Sequence, residues 1–182
     1  MTSTLLQRTL DAYATLGRYS DTGAVSWLER DGWRRASTFT TSFARGQRLT
    51  LRVSRDGRGA DVAFEADLSS SGPVSVTLYG EKKKRYPLQV ALHACAGVTS
   101  AVSVLVPSLL LASAPGVDWF VGLFGGAPTT RSEVGRLVVS GRRGNEPECV
   151  AALDPERLLV RSLEWSLDHA LRQRLQFDVT PS

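Results

Sequence analysis

Tyr86 to Val117, YPLQVALHACAGVTSAVSVLVPSLLLASAPGV, is the stretch whose reading decides the fold, and it contains no Asp, Glu, Lys or Arg. It exceeds the about 20 apolar residues that a transmembrane helix needs, so a span is the first reading to test. His93, Gln89, Thr99, Ser100, Ser103 and Ser108 break its apolar surface, and Gly97 and Pro107 interrupt the continuity a span requires. Two short helices fit instead. Leu88, Ala91, Leu92, Cys95 and Ala96 recur at helical spacing; after a break at Gly97 to Ser100, so do Val102, Leu105, Val106, Leu109 and Leu110. The chain is read here as buried or lid-forming helices and as not itself membrane-spanning.

Outward from this stretch, the composition describes one domain over residues 1–182, with 42% hydrophobic and 22% charged residues, large enough to bury a sizeable core. The net charge of +4 does not indicate nucleic acid, because Lys and Arg are scattered as single residues along predicted strands. Only Lys82-Lys83-Lys84-Arg85 forms a run, flanked by Glu81 and Pro87. It reads as a solvated loop, with contact to an anionic headgroup or phosphate as the alternative.

Upstream, Leu5, Leu6, Thr9, Leu10, Tyr13 and Leu16 share one helical stripe, with Gln7, Arg8, Asp11 and Thr15 outside it. The pattern predicts an amphipathic helix over Ser3 to Leu16, capped by Ser3 and closed by Gly17. From Tyr19 the period becomes two. Ala24–Leu28 and Arg35–Phe43 form a hairpin at Asp31-Gly32, and Leu49–Val53, Asp61–Glu65 and Val74–Tyr79 follow across turns at Asp56–Gly59 and Ser70–Pro73. Leu49, Leu51 and Val53 alternate with Thr50 and Arg52, so one side of this antiparallel meander faces an apolar interior.

Downstream, Asp118 to Gly126 mixes large apolar side chains with glycines and reads either as a mobile, aromatic-bearing loop or short helix, or as plain core. Strands resume at Gly135–Ser140, Glu148–Leu153, Leu158–Trp165 and Arg174–Val179.

No catalytic constellation emerges. The histidines are His93, inside an apolar helix, and His169, in a polar loop, and neither has a supporting nucleophile. No nucleophile elbow, phosphate-binding loop or zinc motif is present, and paired carboxylates leave no trace in a single sequence. The sequence gives no support for a disulfide between its two cysteines, Cys95 and Cys149, though one is possible. No metal and no cofactor is expected. The opening MTSTLLQRTLDAYATL lacks the basic start, apolar core and cleavage site of a secretory signal.

Several short motifs lie in the same order as in a known family: Leu10–Leu16 with Tyr19–Gly23, Thr41–Leu49, Ala94–Ser100 with Val106–Leu111, and the late hairpin Leu153–Arg161. On these the chain resembles the LolA/LolB-like superfamily of bacterial outer-membrane lipoprotein carriers and the lipoprotein-sorting-like proteins around it. The resemblance implies an α+β fold: a strongly curved antiparallel sheet, an unclosed half-barrel, wrapped around the N-terminal helix and short central lid helices. It implies a hydrophobic cavity, for which the candidate lining is Phe39, Phe43, Leu51, Phe64, Val76, Leu92, Leu109, Trp119 and Trp165. In the carriers an Arg after the third strand-like run latches the lid, and the matching residue is Arg45; the family's following Pro is here Gly46.

The function so implied is noncatalytic binding or carrying of a lipid, lipoprotein acyl chain or similar apolar ligand in the periplasm or cell envelope. The partners expected are that apolar ligand and a membrane-associated protein, with no nucleic acid. Two alternatives stand beside it: an envelope-sensing interaction module with a filled core, and a cofactor-free cytoplasmic enzyme on the same fold.

Overall fold

A computed structural model describes residues 4–55, 60–69, 72–79, 81, 84–96, 99–111, 119–167 and 171–180. The chain opens with helix α1 (Leu5–Thr15) and continues through strands β1 (Arg18–Glu29), β2 (Gly32–Ala44), β3 (Arg48–Arg55), β4 (Ala60–Asp67), β5 (Val74–Leu78) and β6 (Lys84–Tyr86). Helices α2 (Leu88–Ala96), α3 (Val102–Leu110) and α4 (Trp119–Gly122) come next. Strands β7 (Thr129–Glu133), β8 (Arg136–Gly141), β9 (Cys149–Leu153), β10 (Val160–Leu167) and β11 (Leu171–Thr180) complete the chain. All 11 strands form one antiparallel sheet in the order β6-β5-β4-β3-β2-β1-β11-β10-β9-β8-β7, with β6 and β7 as open edges. The sheet is an unclosed half-barrel, as expected.

Its inner face follows from the alternation read in the sequence. Cross-strand register carries Asp21, Thr41, Leu51, Phe64 and Val76 along one row, and Tyr19, Phe43, Leu49 and Ala66 along the next. All are buried. At Gly23, opposite both Phe39 and Phe177, the two rings meet edge to face at 5.5 Å, and a Cβ there would fall 2.2 Å from Phe39. Glycine is what lets these rings close over the strand.

Inside this curve α3 packs against α1, α2 and α4, and all nine of its residues are buried. A helix apolar all round belongs in an interior. Two of the hydroxyls that interrupt the apolar stretch, those of Thr99 and Ser103, are consumed at the α2–α3 corner, and Ser108 Oγ donates to the Leu105 carbonyl within α3. Ser103 Oγ donates to the Leu92 carbonyl (2.9 Å), and Thr99 Oγ1 accepts from Ser103 N (3.1 Å), so no buried donor at the corner is stranded. The boundaries of α2 and α3 match the two helical patterns seen in the sequence.

Three local expectations change. The cap of α1 is Thr4, whose side chain accepts from Gln7 N at 3.2 Å; Ser3 lies outside the described residues. Gly17 does not close the helix in a left-handed conformation: Leu16 is extended at φ −68°, and the terminal carbonyls are met by Arg45 instead. Part of the basic run is strand, since Lys84 and Arg85 pair with Val76 and Ser75 in β6, while Lys82 and Lys83 lie outside the described residues.

Candidate functional site

The N-terminal turn of α1 stands over the β7–β8 hairpin at one end of the inner face, and between them lies a cleft of about 670 Å3. Its floor is Leu5, Leu6, Leu137 and Val139, with Pro128 and Ala127 at one side. Val139 and Leu6 are buried, whereas Leu5 and Leu137 are half-buried. The rim carries Arg8, Thr130, Arg131 and Ser132. Thr130 pairs with Val139 and Ser132 with Leu137, so register places both hydroxyl residues on the floor's face of the sheet.

The wall at Gly126 to Pro128 is fixed by backbone contact. A Cβ on Gly141 would lie 2.2 Å from the Phe124 carbonyl oxygen, and one on Gly125, at φ +67°, 2.1 Å from that of Arg142. The two segments therefore cross at glycine-only distance, which sets where β7 begins. Phe120 and Phe124, packed edge to face at 5.3 Å, anchor the approach.

The predicted lining residues sit elsewhere. Phe39, Phe43, Leu51, Phe64, Val76, Leu92, Leu109 and Trp165 all belong to one continuous buried cluster with α3. Phe39 also borders a second cleft, of about 570 Å3, with Gly23, Arg35 and Phe177. Trp119 stands apart from the cluster, 38% exposed on α4, its ring 6.0 Å from that of His93. Phe120, beside it, and Phe124 are buried while the rest of the described segment, residues 119–126, is half-buried or exposed, so a short helix anchored by two rings replaces the mobile loop or plain core read in the sequence.

Arg45 reaches back to α1. Its Nη2 donates to the Tyr13 carbonyl (2.8 Å) and its Nε to the Leu16 carbonyl (3.0 Å), and its guanidinium lies 5.3 Å from the centre of the Phe43 ring. A cation at a helix C-terminus meets both the orphan carbonyls and the helix dipole. Gly46, at φ +66°, makes the turn that aims it, a conformation closed to proline. The departure from the family's Pro thus goes with a tight left-handed turn.

A polar knot fixes the same end of α1 to the sheet. Tyr13 Oη accepts from Val160 N (3.2 Å), and Tyr19 Oη donates to Asp21 Oδ2 (2.7 Å). Asp21 Oδ1 is buried with no hydrogen-bond partner. Burial pushes the Asp21 carboxyl above the usual carboxylate range; Tyr19 counters the rise, as does Thr41, opposite in register though outside hydrogen-bond geometry. Burial likewise raises the hydroxyls of Tyr13 and Tyr19 well above the usual phenol range.

His93 Nδ1 donates to the Gln89 carbonyl (2.8 Å) on the outside of α2, and His169 lies outside the described residues. Cys95 and Cys149 are free, buried thiols, both pushed up by burial, far from the reactive thiolate. Among the described residues no group of three or more His, Cys, Asp or Glu side chains could hold a metal, and no helix is long and apolar enough to cross a membrane.

No family model and no curated protein matches the chain. Solved structures similar to it over nearly its whole length include the three that follow. MucB, crystallised in complex with MucA(peri), is 15% identical with a TM-score of 0.47; the match covers 98% of this chain but only 55% of MucB, so the chain spans about half of that protein. The LolA superfamily protein NE2245 from Nitrosomonas europaea is 10% identical with a TM-score of 0.41, over 99% and 94% of the two chains. A putative outer membrane lipoprotein-sorting protein domain from Vibrio parahaemolyticus is 10% identical with a TM-score of 0.43, over 97% and 90%. LolA-superfamily structures are thus among those it is similar to. At these identities the likeness is one of chain arrangement alone.

Proposed function

We propose that this chain is a noncatalytic binder or carrier of a hydrophobic ligand, of the acyl-chain class, held between the curved sheet and its helices. One observation carries the reading: a cleft of about 670 Å3 on the inner face, floored by Leu5, Leu6, Leu137 and Val139 and continuous with the apolar core. Ligand sites are concave, mostly apolar and about 300–1,000 Å3 in volume. Binding there needs apolar area, at about 25 cal/mol per Å2 buried, and no reacting group. The predicted lining residues, Phe39 to Trp165, would form the deeper part of the site, reached if α3 moves aside. Arg45 would be the latch, tying α1 to the β2–β3 turn. The motif resemblance to envelope carriers supports action outside the cytoplasm.

A second reading draws on a different observation, the filled interior around α3. If α3 never moves, the chain is an interaction module whose open β7 edge meets a protein partner.

Titration with a fluorescent fatty acid separates the two. The carrier reading expects saturable binding that Leu137→Glu abolishes while circular dichroism stays unchanged, because Leu137 is half-buried at the cleft and tolerates a solvated charge. Absence of uptake by the folded wild-type protein would leave the interaction module.

A further inference from the structure

We infer that the open edge of β7 takes an extended peptide as a further strand, one that alternates large apolar residues with acidic ones. The inference rests on the second reading above, the interaction module, and adds the chemistry of its partner. An edge strand carries a row of unpaired backbone groups that another chain can complete. Among the described residues no strand but β8 pairs with β7, and Thr129, Thr130, Arg131 and Ser132 are all exposed.

Which backbone groups are free follows from the hairpin. Val134 and Gly135 form a two-residue turn between the paired residues Glu133 and Arg136, so that pair exchanges both of its backbone hydrogen bonds. Arg131 and Thr129, two and four residues back, bond to β8 in the same way. Thr130 and Ser132 therefore point their N–H and C=O groups away from the sheet. The same two side chains face the cleft, and an incoming residue opposite either one sends its own side chain inward. Strands lie about 4.8 Å apart, so only the width of one hydroxyl residue separates that side chain from Leu137 or Val139. A large apolar side chain leans across that gap toward the floor and the Leu5 and Leu6 of α1.

The residues between them face the other way. By alternation Arg131 stands on the outer face, where its Nε donates to Glu133 Oε1 at 2.8 Å and Arg136 Nε donates to Glu133 Oε2 at 2.7 Å. Two guanidiniums and one carboxylate leave net positive charge beside the position that the incoming strand's intervening residue takes. Opposite charges across a ladder stabilise it and like charges destabilise it, so that residue is acidic. The other edge of the sheet is built against such a partner. Strand β6 is three residues long, and its register with Val76 puts Lys84 on the inner face. An inward-pointing charge blunts an edge, whereas the inward positions of β7 are Thr130 and Ser132.

The test uses the full chain and capped peptides of about seven residues, read by fluorescence anisotropy. One peptide alternates leucine with glutamate, a second alternates leucine with lysine, and a third carries the leucines and glutamates in two blocks. A fourth is the first with its leucines N-methylated, which removes the N–H groups that would meet β7. The leucine and glutamate alternation should bind about fivefold tighter than that of leucine and lysine. The block and N-methylated peptides should lose about tenfold or more. Ser132→Pro removes an outward N–H, spares the bonds to β8, and should abolish binding with circular dichroism unchanged. Arg131→Glu should reverse the preference and favour lysine, which a merely structural arginine would not do. Equal binding of the alternating and block peptides, or of the N-methylated one, would overturn strand addition and leave an interaction module of another kind. Equal binding of the glutamate and lysine peptides would overturn the acidic class. A dimer in light scattering that Ser132→Pro dissolves would make the occupant a second copy of this chain and overturn the inference too. No binding by any peptide would overturn both the inference and the reading on which it rests.

Discussion

The inner face of the sheet has two ends that began from the same kind of strand and finished differently. At the β3–β5 end, alternate residues are mostly large and apolar, and Leu49, Leu51, Val53, Phe64, Val74 and Val76 are all buried. At the β7–β8 end, the inward positions of the edge strand Thr129–Glu133 are the hydroxyl residues Thr130 and Ser132, where apolar side chains would sit, and the face stays open as a cleft. What lies above differs too. The interior is sealed by α3, apolar on all sides, whereas the cleft is roofed by the first turn of α1, which turns Leu5 inward and Arg8 to the rim. A half-barrel becomes a core or a site according to which helix covers it.

The largest effect should separate the ends by stability. Leu105→Ala, at the centre of α3, is expected to cost about 2–5 kcal/mol, because a sealed core cannot collapse fully around the lost volume. Leu137→Ala should cost about 1 kcal/mol or less and instead weaken tail binding. Urea unfolding of both variants checks this, and equal losses would mean the cleft is core by another name.

Asp21→Asn should act with the opposite sign, raising stability at neutral pH. A buried carboxyl whose folded pKa is raised favours the folded state fully only below its unfolded value. That contribution is lost as pH rises through the folded value. Wild-type stability minus that of the variant should therefore fall between about pH 4, the ordinary aspartate range, and neutrality. Asp154, Glu133 and Asp67 have lowered pKa values of opposite sign, but they cancel in this difference. A difference flat with pH in urea midpoints would show that Asp21 is not perturbed.

Arg45→Ala should cost about 1–2 kcal/mol by uncovering the Tyr13 and Leu16 carbonyls. It should also loosen α1 over the cleft. Amide hydrogen exchange checks both: faster exchange confined to α1 is expected, and unchanged α1 protection would deny Arg45 a latching role.

The filled end was the legible one. A charge-free stretch with two helical periods yields α2 and α3 almost to the residue, and alternation yields β1 to β5, because burial on one face imposes a pattern on consecutive residues. The cleft obeys no such rule. Its floor joins Leu5 and Leu6 to Leu137 and Val139, far apart in the chain, and its edge strand, TTRSE, has no apolar alternation to announce it. Arg8 falls outside the apolar stripe of α1 and so reads as solvent-facing, which is true of its exposure and silent about the cleft it borders. Lys84 to Tyr86 escaped for the same reason: a three-residue edge strand carries too little pattern.

The account turns on where a tail sits, and photo-crosslinking reads that directly. A laurate analogue with a diazirine in its tail, irradiated on the intact chain and mapped by peptide mass spectrometry, should label the first turn of α1 and the β7–β8 hairpin, at Leu5, Leu6, Pro128 and Leu137. If α3 moves aside, weaker labelling should follow at Leu92 and Leu109. Labelling only at the exposed Trp119 surface or on the outer face of the sheet would contradict the account.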